Sequence, residues 1–303
     1  MSMKYYGVIG NRDYIKLRGE RLPFWEFLDR QPSGWLSSLV YKRKDLPKRK
    51  PMIWDCGAWS YRNEEVPKIT PESCLEEYKQ HAPRGSIVIA PDHMLIDGAN
   101  LEGRRKFNRG SAKEFLAICP KRFKPMACIH GNDLDERVKA AEYLLGLGYR
   151  HLAIGGIAAR ASQKRVCLGI VRRLRELTEG HWLHVLGLSS PHYFAMWQKF
   201  GVDSCDGSSH FKQAFTGGVF FTREGARLKK HQAAREGEPV TAPECSCKAC
   251  ALLREDGVET RRYGSNETNM GRAAHNLNQL MAAHRYATKH PEVFDDGQKT
   301  LAI

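Results

Sequence analysis

Short β-rich runs alternate with amphipathic stretches along most of the chain, and this alternation constrains the fold more than any other feature of the sequence. Run 52–54 leads into Asp55, 87–90 into Asp92, 126–129 into His130, and 152–154 into Gly155 and Gly156. Run 182–186 leads into Gly187, and a last short run into Asp206. Between them lie segments 71–82, 111–119, 133–147, 161–178 and 191–200, which have helical periodicity. In 133–147, Leu134, Val138, Ala141 and Leu145 fall on one helical face behind Asp133, a good N-cap. Such βα units predict a parallel sheet, either open and doubly wound or closed. Six or more units in about 200 residues favour a closed α/β barrel.

In a barrel of this kind, working groups sit at the C-terminal ends of several strands. Asp55, Asp92, His130, the Gly155 and Gly156 pair, and Asp206 all fall at such ends. Any one aspartate there is readily explained as a helix N-cap. Three carboxylates, a histidine and a glycine pair at successive ends instead predict a common mouth.

The 303 residues carry 48 Lys and Arg against 34 Asp and Glu, a formal charge of +14. A surplus of that size attracts polyanions, and nucleic acid is the leading partner. There is no apolar run long enough to span a bilayer, and the first residues lack the apolar stretch of a signal peptide, so the expected location is cytoplasmic, with no membrane partner.

Of nine cysteines, six are scattered singly, which does not fit a secreted disulfide framework. The other three, Cys245, Cys247 and Cys250, form C-x-C-x-x-C, and His275 follows 25 residues later. Three thiolates and one imidazole make a closed tetrahedral Zn²⁺ site of structural type. His284 is the rival for the fourth position, with a bound water the remaining alternative. Around this motif the chain turns polar and basic from about residue 223. The expected division is a barrel core over 1–222, a basic linker and Cys₃His zinc subdomain over 223–285, and a tail over 286–303.

Several short motifs, in order from about residue 52 to 281, resemble those of the queuine/archaeosine tRNA-guanine transglycosylase family. Asp55-Cys56-Gly57-Ala58-Trp59 is similar to its D-S-G-G-F/Y, Ile154-Gly155-Gly156-Ile157-Ala158 to V-G-G-L-A, and Gly201-Val202-Asp203-Ser204-Cys205-Asp206 to G-x-D-x-F-D. Gln213-Ala214-Phe215-Thr216 repeats Q-A-F-T, and the cysteine motif and His275-Asn276-Leu277 match C-x-C-x-x-C and H-N-I/L. The resemblance implies a (β/α)₈ TIM-like barrel with a zinc-binding subdomain and a base-exchange glycosyltransferase. Asp206 would be the nucleophile at C1′, forming a covalent glycosyl-enzyme, and Asp55 the general acid/base. Asp92 would read the guanine edge, with Gly155 and Gly156 offering backbone N–H groups to O6. His130 stands where the family has glutamine in V-Q-G.

The stretch Asp206-Gly207-Ser208-Ser209-His210-Phe211-Lys212 replaces an arginine-bearing loop that grips anticodon uridines in the tRNA enzymes. This departure resembles the DpdA-type branch, which places 7-deazaguanines in DNA. The resemblance therefore implies a DNA-guanine transglycosylase inserting 7-cyano-7-deazaguanine. The alternatives are a tRNA-guanine transglycosylase and a non-catalytic zinc-containing nucleic-acid-binding subunit; two carboxylates facing an anionic backbone argue against the last. A helicase-like partner or a homodimer is compatible with this reading. The base would be flipped into a pocket walled by Trp59, Tyr61, His192-Tyr193-Phe194 and Phe215, with backbone contacts from the basic runs 42–50 and 227–230.

Overall fold

A computed structural model describes residues 2–11, 13–48, 50–96, 98–222 and 227–294. Arg49 of the first basic run, residues 223–226 of the linker and 295–303 of the tail lie outside the described residues. The strands are β1 (Lys4–Ile9), a hairpin of β2 (Tyr14–Leu17) and β3 (Glu20–Pro23), β4 (Gly34–Ser38), β5 (Met52–Asp55) and β6 (Ile87–Ile89). They continue with β7 (Lys124–Ile129), β8 (His151–Ile154), β9 (Trp182–Val185), β10 (Ser204–Gly207), and the pair β11 (Gly218–Thr222) and β12 (Leu228–Gln232). The helices are α1 (Pro71–His81), α2 (Leu101–Ile118), α3 (Leu134–Leu147), α4 (Lys164–Leu177), α5 (Pro191–Phe200), α6 (Ser209–Phe215), α7 (Lys248–Glu255) and α8 (Asn266–Lys289).

Among the described residues, eight parallel strands close in the order β1-β10-β9-β8-β7-β6-β5-β4, with β4 returning to β1. This is the α/β barrel that the alternation predicts. Period-2 alternation sends one set of side chains inward, where Tyr6, Leu36, Ile53, Ile89, Met126 and Ala153 pack together. The other set, including Trp54, Val88, Leu152 and Leu183, meets the helices. At the β4–β1 seam Tyr6 lies opposite Gly34, and a Cβ there would come within 2.4 Å of the Tyr6 ring and 2.7 Å of Pro51 O.

Local chemistry sets the helix ends. Thr70 and Ser73 form a reciprocal capping box ahead of α1, with Pro71 at its first position. Asp133 accepts from Glu136 N at the start of α3, and Gly148, with φ of 98°, ends it. Helix α2 starts ten residues before the periodicity suggests, capped by Asn100. Its first half holds the charged run Arg104-Arg105-Lys106, which hides the apolar face. No helix of the described residues is long and apolar enough to cross a membrane.

Helix α8 joins the two parts of the molecule. Asn276 accepts from Phe220 N and donates to Gly218 O, pinning the helix to β11, while Asn278 donates to Phe27 O and accepts from Asp29 N.

Candidate active site

Inward alternation at the C-terminal strand ends brings Asp55 (β5), Asp92 (after β6), His130 (after β7), Gly155 and Gly156 (after β8) and Asp206 (β10) to one mouth. The Asp55 carboxylate accepts from Gly57 N at 3.0 Å, in a turn where Gly57 has φ of 93°. Burial, then the neighbouring Asp92 charge and more weakly Asp206, raise the Asp55 carboxyl to about 7, against the pull of Gly57 N–H and Ser38. Such a group exchanges protons readily near neutrality.

Asp92 is buried, with both oxygens engaged. Oδ1 accepts from the Cys56 thiol at 3.0 Å, and Oδ2 lies 2.5 Å from His130 Nε2. Tyr61 donates to the Asp92 backbone carbonyl. Burial and the Asp92 charge hold the Cys56 thiol protonated, the form in which it donates. The His130 ring rests on Gly155, where a Cβ would meet Cε1 at 2.8 Å. The Gly155 N–H is spent on Ile129 O, so what Gly155 contributes to the mouth is the missing side chain. Gly156, with φ of 71°, turns the chain away.

Two residues that the sequence does not single out support this floor. Arg137, on α3, is almost fully buried and donates to Ile129 O and Gly155 O, tying together the ends of β7 and β8. It reads in the sequence as one more charge on an amphipathic helix. His184, inward on β9, brings its Nε2 to 3.2 Å from Asp206 Oδ1. Oδ1 also accepts from Gly187 N at 2.8 Å. A single histidine within an apolar strand gives little signal in a sequence.

The aromatic candidates divide. Trp59 is 62% exposed at the rim with Arg62 stacked 4.3 Å from its ring, and Phe215 is also exposed. Tyr193 and Phe194 are core residues, Tyr193 stacking on Trp197 at 5.1 Å, so they do not line the mouth. In the first basic run, Arg43 is buried beside Asp13 and over Trp25, a structural charge, and Lys42 pairs with Glu77. Lys229 and Lys230 are exposed on β12. The larger cavity, about 790 Å³ around Arg175, Trp182 and Asp203, is at the opposite end of the barrel. A cavity of about 310 Å³ flanks His130 and Cys128.

Cys245, Cys247, Cys250 and His275 bring their ligand atoms within 4.8 Å of one another. His275 Nδ1 lies 3.6 Å from Cys247 Sγ and 3.3 Å from Cys250 Sγ, spacings that suit ligands about 2.0–2.3 Å from a tetrahedral zinc. Its Nε2 lies 2.6 Å from Phe220 O, the outer hydrogen bond that orients a ligating imidazole. The set fits zinc. His284, about two and a half turns further along α8 than His275, lies 3.2 Å from Met3 O and packs edge-on against Phe194, outside the cysteine cluster. The four ligands would hold zinc in a closed shell that ties α7 to α8, with no position left for a substrate.

The model of the TGT family, described as queuine tRNA-ribosyltransferase, matches residues 111–287. A DNA-guanine transglycosylase of Salmonella montevideo is 28% identical over 184 residues, which cover 56% of this chain and 43% of that protein. A queuine tRNA-ribosyltransferase of Chlamydia felis (strain Fe/C-56) is 22% identical over 239 residues, 75% of this chain and 63% of that protein. The matches thus span less than two thirds of either relative. With the closed barrel, the strand-end carboxylates and the Cys₃His cluster in place, the family match places the chain in the queuine tRNA-ribosyltransferase (TGT) family.

Proposed function

We propose that the chain is a DNA-guanine transglycosylase, exchanging guanine in DNA for a 7-deazaguanine, 7-cyano-7-deazaguanine, through a covalent aspartyl glycosyl-enzyme. The observation that carries this reading is a pair of carboxylates in one mouth with different surroundings. Asp206 is held by two donors, and Asp55 is raised to about 7. Asp206 attacks C1′ of the target nucleoside as the C1′–N9 bond breaks, and Asp55 supplies the proton that departing guanine needs. The incoming base then gives its N9 proton to Asp55 and displaces Asp206, with net retention.

Asp92 reads the purine. Its two oxygens, met here by Cys56 and His130, suit the N1–H and exocyclic N–H donors of a guanine edge. DNA is favoured as the polymer because α6 opens at Ser209, two residues after β10, leaving no arginine loop beside the nucleophile. The name of the Salmonella montevideo relative supports the same choice. Zinc held by Cys245, Cys247, Cys250 and His275 stabilises the subdomain.

The test is to incubate the protein with 7-cyano-7-deazaguanine and, separately, single-stranded DNA, duplex DNA and tRNA, then digest each polymer for mass spectrometry. Modified nucleoside in DNA is the expected result. Incorporation into tRNA alone, the activity named for the Chlamydia felis relative, would overturn the choice of polymer, and none in any polymer would overturn the exchange itself.

A further inference from the structure

The geometry points to His184 as a positioning residue that fixes which oxygen of Asp206 attacks and makes that carboxylate the better leaving group in the second half of the exchange. The inference rests on the reading of Asp206 as the nucleophile.

His184 is fully buried in the barrel interior, its ring edge-on to Tyr6 at 6.0 Å. A polar ring in that apolar layer is costly unless both nitrogens are satisfied. They are, by a chain running across β9 and β10. Trp182 Nε1, which can only donate, gives its proton to Ser204 Oγ at 3.0 Å. Ser204 Oγ lies 2.7 Å from His184 Nδ1, and His184 Nε2 lies 3.2 Å from Asp206 Oδ1. A carboxylate oxygen at the end of the chain requires a donor, so the proton sits on Nε2. In the neutral ring Nδ1 is then an acceptor, and the Ser204 hydroxyl donates to it. The parallel register sets Ser204 beside His184, placing these groups one layer below the mouth.

Gly187 N–H and His184 Nε2–H both converge on Oδ1. Oδ2 has no protein donor among the described residues and is the oxygen free to meet C1′. In the first step an electron pair from Oδ2 forms the bond to C1′ while the C1′–N9 pair leaves with the base, and the carboxylate loses its charge. In the second, N9 of the incoming base bonds to C1′, the C1′–Oδ2 pair returns to the carboxylate, and the charge reappears. Donors on Oδ1 stabilise the charged carboxylate over the ester, so they hold back adduct formation and speed its breakdown. Removing one should make the adduct accumulate, whereas a merely structural defect would deplete it.

The experiment measures the covalent adduct on denaturing gels, and its discharge by added free base, with wild type, His184→Leu, His184→Gln and Asp206→Asn. DNA and tRNA are tested in parallel, after thermal melts and zinc content show intact folds. In His184→Leu the adduct should discharge about tenfold more slowly, the worth of one hydrogen bond to a charged group, and its steady-state fraction should rise. His184→Gln, which retains an N–H donor, should restore most of the discharge rate. Formation and discharge falling together, or discharge unchanged, overturns the role while leaving Asp206 as nucleophile. No adduct from wild type on either polymer, or an adduct surviving Asp206→Asn, overturns the nucleophile and the role together. Nitrogen NMR of ¹⁵N-histidine protein gives a check free of turnover. The His184 ring resonances, assigned in the folded wild type by through-bond correlations, should show a proton on Nε2, and an unprotonated Nε2 overturns the proposal even if neither variant folds well enough for kinetics.

Discussion

Asp55 and Asp206 share a mouth but differ in what surrounds them, and this makes separable predictions. Asp206→Asn preserves shape and removes the charge, so adduct formation should be abolished while the melting temperature barely moves; a substantial fall in melting temperature would instead mark Asp206 as structural. For Asp55 the sign follows from its raised value. The unfolded carboxyl ionises near ~4, whereas the folded one keeps its proton to about 7. Between those values the folded state binds the extra proton, so stability falls as pH rises through the window and stays reduced above it. Asp55→Asn should therefore be more stable than wild type at pH 8, on the order of 4 kcal/mol, and lose that advantage below pH 4, as thermal melts across pH would show. Gly155→Ala pushes on the His130 ring and should weaken binding of the free base several-fold with little change in adduct chemistry. The strand-end residues Asp55, Asp92, His130 and Asp206 are legible in the sequence because each interrupts an apolar run where a barrel places its chemistry. His184 and Arg137 are not, because an inward strand position and a helical charge are marked only by the partners that folding brings to them.

Whole elements differ in the same way. Strands β5 to β10 announce themselves by β-rich runs with polar ends, and α1, α3, α4 and α5 fall within a few residues of their periodic segments. Strands β1 and β4 do not. KYYGVI and GWLSS carry glycines and polar residues, and their place in the barrel depends on the fit of Gly34 beneath Tyr6. Gly34→Ala would drive a methyl group against Tyr6 and the Pro51 carbonyl, and should cost about 2–3 kcal/mol by denaturant titration. In the Cys₃His cluster the C-x-C-x-x-C spacing is readable, and His275 among the helical histidines is distinguished by the thiols at its Nδ1 and the Phe220 carbonyl at its Nε2. Cys247→Ser should lower zinc content and melting temperature together; stoichiometric zinc in that variant would refute the ligand set.

At the scale of the molecule, the chain carries a surplus of +14, an exposed Trp59 with Arg62 stacked on it stands at the rim of the mouth, and Lys229 and Lys230 are exposed on β12. A footprint of about four to six phosphates would make the logarithm of affinity for single strands fall with the logarithm of salt at a slope of about −3 to −4. A flat salt response in a fluorescence titration would remove the polyanion from the interpretation. The closed barrel was legible from the count of βα units, but its seam was not. At that seam β1 lies between β4 and β10, so Lys4 pairs with Ser204 and Tyr5 donates to Gly207 O across some 200 residues. During synthesis one edge of β1 therefore stays without its neighbour until most of the barrel has left the ribosome. That interval is a hazard, because an open parallel edge pairs with whatever strand it meets. Slow closure follows from such long-range pairing, and yield in the cell should depend more on chaperone capacity than on the stability of the finished protein.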